Sequence, residues 1–193
     1  MFALQNDAAG VNLGKAFFLT GHPGVGKTTV LTKIIDELKH RGFKVGGMIS
    51  SEVRENGVRV GFRIADVSSG REGWLASRRQ RSGPQIGRYR VCLEELDTIG
   101  VKAILNSIAI ADVTVIDEVG PMELFSAPFR ETVLKALESE KPVLGTIHHR
   151  ATHPLVLAIK NRTDTEIFEV TTDNRNELPA LVTHEIMKSL TKN

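Results

Sequence analysis

The sequence predicts an α/β protein: a mostly parallel sheet with helices on both faces and an added β-hairpin. Two observations predict it. Short apolar runs alternate with stretches of helical periodicity through most of the chain, the pattern of strands joined by crossover helices. The region of about 44–92 breaks this alternation with two β-rich runs around Asn56-Gly57, a hairpin signal because both residues tolerate positive φ.

Taken in order, Ala16 to Thr20 is a short apolar run that stops at Gly21 and reads as the first strand. From Thr28 to Arg41 the residues Val30, Leu31, Ile34, Ile35 and Leu38 recur at helical spacing, and Gly42 follows as a stop. Val45–Val53 and Val58–Val67 form the hairpin. In its second arm Val58, Val60, Phe62 and Ile64 alternate with Arg59, Gly61 and Arg63, as in a strand with one wet face. Arg71 to Arg90 holds Arg71, Arg78, Arg79, Arg81, Arg88 and Arg90 against one acid, Glu72, and is expected to be an exposed loop ending in a strand near Tyr89 to Leu93.

Regular alternation then returns. Leu93, Leu96, Ile99, Ile104, Leu105 and Ile108 mark a helix, with Gly100 inside or breaking it. Val113 to Ile116 is a buried-type strand, and Met122 to Leu137 a helix entered through Pro121 with Phe125 and Phe129 in the core. Val143 to Ile147 is a strand, a short helix follows Pro154, Thr165 to Val170 is a strand, and a last helix begins near Leu178. Residues 1–15 are expected to be a flexible leader and 16–193 one domain.

Composition narrows the class. A hydrophobic fraction of 41% and a charged fraction of 25% are ordinary for a soluble globular chain. Cys92 is the only cysteine, which excludes an intramolecular disulfide and a cysteine-based zinc site, and fits a cytoplasmic location. A net charge of +2 gives no argument for nucleic acid or membrane, and no apolar run approaches the ~18 residues of a membrane span. A monomer without a membrane partner is the expectation.

Gly21-His22-Pro23-Gly24-Val25-Gly26-Lys27-Thr28, followed by Thr29, matches the phosphate-loop pattern G-x-x-x-x-G-K-[ST] between a predicted strand and a predicted helix. Several backbone N–H groups must reach phosphate oxygens at once, so side chains in the way are excluded and glycines stand there. The helix N-terminus favours an anion. Lys27 is expected to set its charge on the β- and γ-phosphates of a nucleoside triphosphate, and the Thr28 hydroxyl to ligate Mg²⁺. His22 is expected to point out of the loop.

Val113-Thr114-Val115-Ile116-Asp117-Glu118 is an apolar strand that ends in two carboxylates. Asp117 reads as the acid that holds a water ligand of the magnesium near Thr28, and Glu118 as the general base that polarises the attacking water. Glu118 is the residue that points to water as acceptor, because binding alone needs no base.

Phe18-Leu19-Thr20-Gly21 through Thr29, with Val115-Ile116-Asp117-Glu118-Val119-Gly120-Pro121-Met122-Glu123-Leu124-Phe125, resembles the small P-loop nucleoside triphosphatases, a family with thermophilic prokaryotic members and a human cancer-related one. Glu52-Val53-Arg54, Gly61-Phe62, Gly87-Arg88-Tyr89, Leu144-Gly145-Thr146-Ile147 and Asn174-Arg175-Asn176 extend the match to nearly everything from Ala16 to the last helix. The resemblance implies a RecA-like sheet and slow hydrolysis of ATP, GTP, CTP and UTP to diphosphate and phosphate, with little base selectivity. It gives Lys27, Thr28, Asp117 and Glu118 the same roles. The leader is longer than the family requires, and Arg71 to Arg90 matches only in its last residues.

Further candidates carry alternatives. Thr146, ending a strand, is either a γ-phosphate sensor or a buried strand threonine. Arg162 and Arg175 are candidates for transition-state contact. Asn161-Arg162-Thr163-Asp164 departs from the guanine-reading N-K-x-D in its Arg and in preceding a strand. His148, His149 and His153 lack a matching acid or cysteine cluster and read as loop histidines. If the arginine-rich segment were a lid, the protein would be a small-molecule or nucleoside kinase. If that segment bound RNA, the protein would be a nucleotide-dependent switch.

Overall fold

The structure, a computed structural model, describes residues 15–191. The expected leader lies outside the described residues apart from Lys15. Strand β1 (Ala16–Thr20) leads through the glycine-rich turn into helix α1 (Lys27–His40). The hairpin is β2 (Val45–Glu55) and β3 (Val58–Asp66), turned through Asn56 and Gly57, both at positive φ as expected. Then come β4 (Glu72–Ser77), β5 (Gln85–Ile86) and β6 (Tyr89–Val91). Helices α2 (Leu93–Glu95) and α3 (Lys102–Ile110) are joined through a π-helical segment, Leu96–Val101. Strand β7 (Val113–Val119), helix α4 (Ala127–Leu137), strand β8 (Val143–Ile147), helix α5 (Pro154–Lys160), strand β9 (Thr165–Glu169) and helix α6 (Leu178–Leu190) complete the order.

Among the described residues one sheet runs β5-β6-β4-β3-β2-β7-β8-β1-β9. Its β2-β7-β8-β1-β9 part is parallel, and β3, β4, β6 and β5 extend it as antiparallel neighbours. Alternation along each strand divides the core. Phe17, Leu19, Val113 and Val115 face α1 and α6, which bury Leu31, Ile34, Leu38, Val182 and Ile186 against them. Phe18, Met48, Ile64 and Ile116 face the other way, onto the π segment, α3, α4 and α5 through Ile104, Phe129, Val133 and Ile159. The α/β expectation, with helices on both faces and a hairpin addition, therefore holds.

Four local expectations are corrected. The Arg71–Arg90 segment is not a free loop: Gly73, Leu75, Ala76 and Ser77 are buried in β4, hydrogen-bonded to β3. Its short apolar run is framed by arginines, of which Arg79 pairs with Glu55 at 2.6 Å, and Arg63 of β3 lies 5.2 Å over the Trp74 ring. Gly100 sits inside a continuing helix, where an added Cβ would come within 2.5 Å of Ile64 Cδ1. The missing side chain is what lets the π segment press onto the hairpin.

The helix expected from Met122 starts at Ala127 instead, because Ser126 is extended and its Oγ accepts the Phe129 N–H at 3.0 Å as an N-cap. Before it, Glu123–Phe125 form a 3₁₀ turn. Phe129 is buried as expected, but Phe125, in that turn, is 45% exposed. Val58, placed on the apolar face of its strand, is exposed at the hairpin tip. No helix among the described residues is long and apolar enough to cross a membrane.

Gly47 permits the β2–β7 pairing. Its φ is 108°, and an added Cβ would lie 2.1 Å from the Val115 carbonyl oxygen, a backbone atom that cannot swing away. Gly47→Ala is therefore expected to destabilise the fold by about 2–4 kcal/mol. Gly57→Ala has open space at φ 79° and is expected to cost only about 1 kcal/mol. Urea unfolding of both variants checks the ordering, and equal losses contradict it.

Candidate active site

The site forms where the parallel strands end. Gly26, the residue before α1, has φ 109°, a left-handed conformation that favours glycine. Val30 is the first residue of the helix whose N–H finds a backbone acceptor, Gly26 O at 3.0 Å. The N–H groups of Lys27, Thr28 and Thr29 thus remain available at the helix mouth, and no acid stands in the first turn to occupy them. Gly21, His22, Pro23, Gly24 and Val25 curve over from β1 to this mouth. His22 is exposed, and its ring centroid lies 5.2 Å from that of His149. Lys27 Nζ lies back over the loop and donates to Gly21 O at 3.2 Å.

Strand β7 brings the acids. Asp117 is 2% exposed. Its Oδ2 accepts the Thr28 hydroxyl at 3.3 Å and its Oδ1 the Thr146 hydroxyl at 2.5 Å, while the Ser50 backbone N–H of β2 also donates to it. One carboxylate therefore ties together α1, β7, β8 and β2. Burial pushes Asp117 up to about 6; the neighbouring Glu118 charge adds to this, and the Thr146, Ser50 and Thr28 donors oppose it.

Glu118, joined to Asp117 by a cis peptide bond, is held above the usual carboxylate range by burial, with Lys27 pulling it down. Its Oε1 is buried and has no hydrogen-bond partner among the described residues. Thr146 does not reach outward as a sensor would; its hydroxyl is spent on Asp117.

Sequence reasoning assigned no role to Glu123. It is 4% exposed, and its carboxyl accepts the backbone N–H groups of Gly120 and of Glu123 itself. Glu123 Oε2 and Glu118 Oε2 converge on Gly120, at 3.1 and 3.0 Å from where its Cβ would stand. Burial first, then the Glu118 and Asp117 charges, push Glu123 up to about 8. The signal in the sequence was an acid within the otherwise apolar stretch Pro121 to Phe125.

The two arginine candidates separate. Arg162 precedes β9 at the amino edge of the parallel strands, a strand length away from the loop. Its guanidinium grips Asp164 at 2.5 and 2.8 Å and Leu137 O at 3.1 Å, so the structure does not bring it to the site. Arg175 does adjoin the loop, with Nη1 3.5 Å from Val25 O. Among the histidines, His153 caps α5 by accepting the Leu155 N–H at 3.1 Å. His148 is held below its ordinary value by burial and by the Lys27 charge. No group of three His, Cys, Asp or Glu among the described residues is placed to cage a metal alone. What the mouth offers a cation is oxygen only, the Thr28 hydroxyl and the Asp117 carboxylate. That donor set suits a hard divalent ion sharing its ligands with phosphate and water.

Comparison with known proteins agrees with this geometry. A family model described as NTPase matches residues 16–183. The nucleoside-triphosphatase THEP1 of Thermofilum pendens is 50% identical over 173 residues, covering 89% of this chain and 95% of the relative. That of Methanosarcina acetivorans is 44% identical, covering 89% and 97%. The crystal structure of THEP1 from the hyperthermophile Aquifex aeolicus superposes with a TM-score of 0.80 at 30% identity, over 89% of this chain and 98% of the other. The solution structure of a human cancer-related nucleoside triphosphatase gives 0.74 at 37% identity, over 89% and 97%. With its phosphate loop, its β7 acids and these relatives in agreement, the chain belongs to the NTPase family that includes the THEP1 nucleoside-triphosphatases.

Proposed function

We propose that the protein is a Mg²⁺-dependent hydrolase of nucleoside 5′-triphosphates, converting ATP, GTP, CTP and UTP to the diphosphate and phosphate with little base selectivity. The observation that carries this reading is Glu118: a half-buried carboxylate beside the phosphate-loop lysine, whose Oε1 is buried and has no hydrogen-bond partner among the described residues. A structural acid would have that oxygen satisfied. An acid that must take a proton from water has reason to keep it free.

Each residue then has a task. The free N–H groups from Lys27 to Thr29 bind phosphate oxygens, and Lys27 leaves its internal contact with Gly21 O to set its charge on the β- and γ-phosphates. Thr28 and Asp117 would hold the cation, Thr28 directly and Asp117 through a ligand water. A divalent cation held there would supply charge to offset what builds on the phosphate oxygens. Glu118 accepts a proton from the attacking water as that oxygen bonds to the γ-phosphorus and the bond to the β-phosphate oxygen breaks. Burial raises its basicity toward neutrality, where a general base works best. Thr146 orients Asp117 and takes no part in the chemistry.

That β4 and the β5–β6 hairpin are built into the sheet favours hydrolysis over the kinase alternative, which needs a lid in this segment. Cys92, the sole cysteine, is buried and unpaired, which supports a reducing, cytoplasmic location.

Phosphate release from the four triphosphates with Mg²⁺ tests the reading. All four are expected to react, and Glu118→Gln is expected to bind ATP normally while releasing phosphate roughly 10³-fold more slowly; wild-type turnover in that variant removes Glu118 as base. Lys27→Ala should weaken ATP binding at least 10-fold, about 1.4 kcal/mol, and calorimetry showing unchanged affinity refutes the loop assignment. Because burial pushes Asp117 up to about 6, protons compete with the cation there, so Mg–ATP affinity should fall as pH drops through that value. Asp117→Asn should lose that part of the pH dependence, and a profile superimposable on that of the wild type contradicts the assignment.

A further inference from the structure

The hydrolytic groups occupy one flank of the phosphate loop, and the opposite flank is built by the turn after β9. Asp117 and Glu118 come from β7, whereas β9 lies beyond β1 in the order β7-β8-β1-β9. The turn is seated firmly on the loop: the Val170 N–H donates to Thr20 O at 2.8 Å, and an added Cβ on Gly21 would lie 2.7 Å from Val170 O. A triphosphate with its γ end at Glu118 therefore directs its nucleoside toward residues 171–177.

Arg175 stands there, exposed. Besides the 3.5 Å approach of Nη1 to Val25 O, its Cδ lies 3.8 Å from where a Cβ on Gly26 would stand. No carboxylate among the described residues pairs with its guanidinium. Of the neighbouring side chains that could read a base edge, Asn174, Thr171 and Thr172 are already engaged, and Asn176 lines a pocket with Lys33, Glu37 and His184. Asn174 Oδ1 accepts the Thr171 N–H at 2.8 Å and Asn174 Nδ2 donates to Glu169 O at 2.8 Å. Thr171 Oγ1 accepts the Asn174 N–H at 3.3 Å, and the Thr172 hydroxyl donates to Asp173 at 3.2 Å. Arg175 itself offers the nucleoside an exposed planar cation.

We propose that Arg175 is the base platform of the triphosphate site: its guanidinium stacks on the face of the nucleobase and adds affinity without reading the base edge. The proposal rests on the reading that the loop from Gly21 to Thr28 holds a nucleoside triphosphate. A guanidinium is planar, weakly hydrated and suited to stacking, and every base offers a π face. Broad base acceptance then has a structural cause in the engaged amide of Asn174 and the stacking Arg175. This role sets Arg175 at the nucleoside end and not at the γ-phosphate, where an arginine finger acts.

The test is displacement of a fluorescent ribose-labelled ATP, with Mg²⁺, by unlabelled ATP, GTP, CTP and UTP and by inorganic tripolyphosphate, which has no base. Wild type, Arg175→Ala and Arg175→Lys are compared, with kcat measured alongside. Arg175→Ala is expected to weaken all four nucleotides roughly 10-fold, to leave tripolyphosphate within about 2-fold, and to change kcat little; Arg175→Lys, lacking the plane, should rescue poorly. Parallel weakening of tripolyphosphate would make Arg175 a phosphate contact. A fall in kcat at constant affinity would make it a finger, and a loss confined to one base an edge reader. Each of these overturns the proposal, as does unchanged affinity for every competitor. Displacement requires no hydrolysis, so the proposal can fail or survive independently of the role of Glu118, and failure of wild type to bind any nucleotide would strike the loop assignment itself.

Discussion

Everything at the active site hangs on one buried carboxylate. Asp117 receives hydroxyls from Thr28 on α1 and Thr146 on β8 and a backbone N–H from Ser50 on β2, so a single side chain sets the phosphate-loop helix, the central strands and the hairpin in register. Those donors do not fully offset its burial and the neighbouring Glu118 charge, which hold it above an ordinary aspartate. Glu118 and Glu123 are packed nearby and are also raised by burial. A fold selected for stability alone would not gather three acids at one buried corner around a single lysine. The arrangement is intelligible if a cation and a phosphate chain complete it, and that is the physical basis for reading the corner as catalytic.

The antiparallel extension serves that corner from behind. Strand β2 pairs with β7 only from Val45 to Met48 and then continues with β3 past the end of the parallel sheet. Gly47 and Gly100 supply the clearance, one for β7 and the other for the π segment against Ile64 and Met48. The hairpin so anchored delivers the Ser50 N–H to Asp117. The arginines of this half are largely engaged in holding it: Arg59 reaches Glu52 at 2.6 Å and Arg79 reaches Glu55 at 2.6 Å. These pairs are exposed and individually weak, but Arg59 and Arg63 also lie over the Tyr89 and Trp74 rings.

Much of this was legible in the sequence wherever period and chemistry coincide. The spacing from Val30 to Leu38 gave α1, and Asn56-Gly57 gave the hairpin. G-x-x-x-x-G-K-T after an apolar strand, with Asp117-Glu118 after another, predicted the loop and acids that the structure brings together. What escaped was tertiary. The apolar run of β4 is too short and too crowded by arginines to be recognised without its partner β3. Ser126 as a cap outweighed the periodicity that suggested an earlier helix start and exposed Phe125. Thr146 and Arg162 were ambiguous because sequence does not tell which acid a hydroxyl or guanidinium will find. Glu123 went unassigned because nothing local in the sequence shows that its carboxyl folds back onto the Gly120 turn beside Glu118.

The most direct measurement is the Mg²⁺ dependence of ATP binding at pH 8 for wild type and Asp117→Asn, by calorimetry with and without the cation. Mg²⁺ is expected to strengthen ATP binding by the wild type and to do so far less in the variant, which keeps the loop's N–H groups, Lys27 and Thr28 but has lost the carboxylate facing Thr28. Equal strengthening in both proteins would mean that Asp117 only braces the fold, and the corner built on it would have to be explained without a cation.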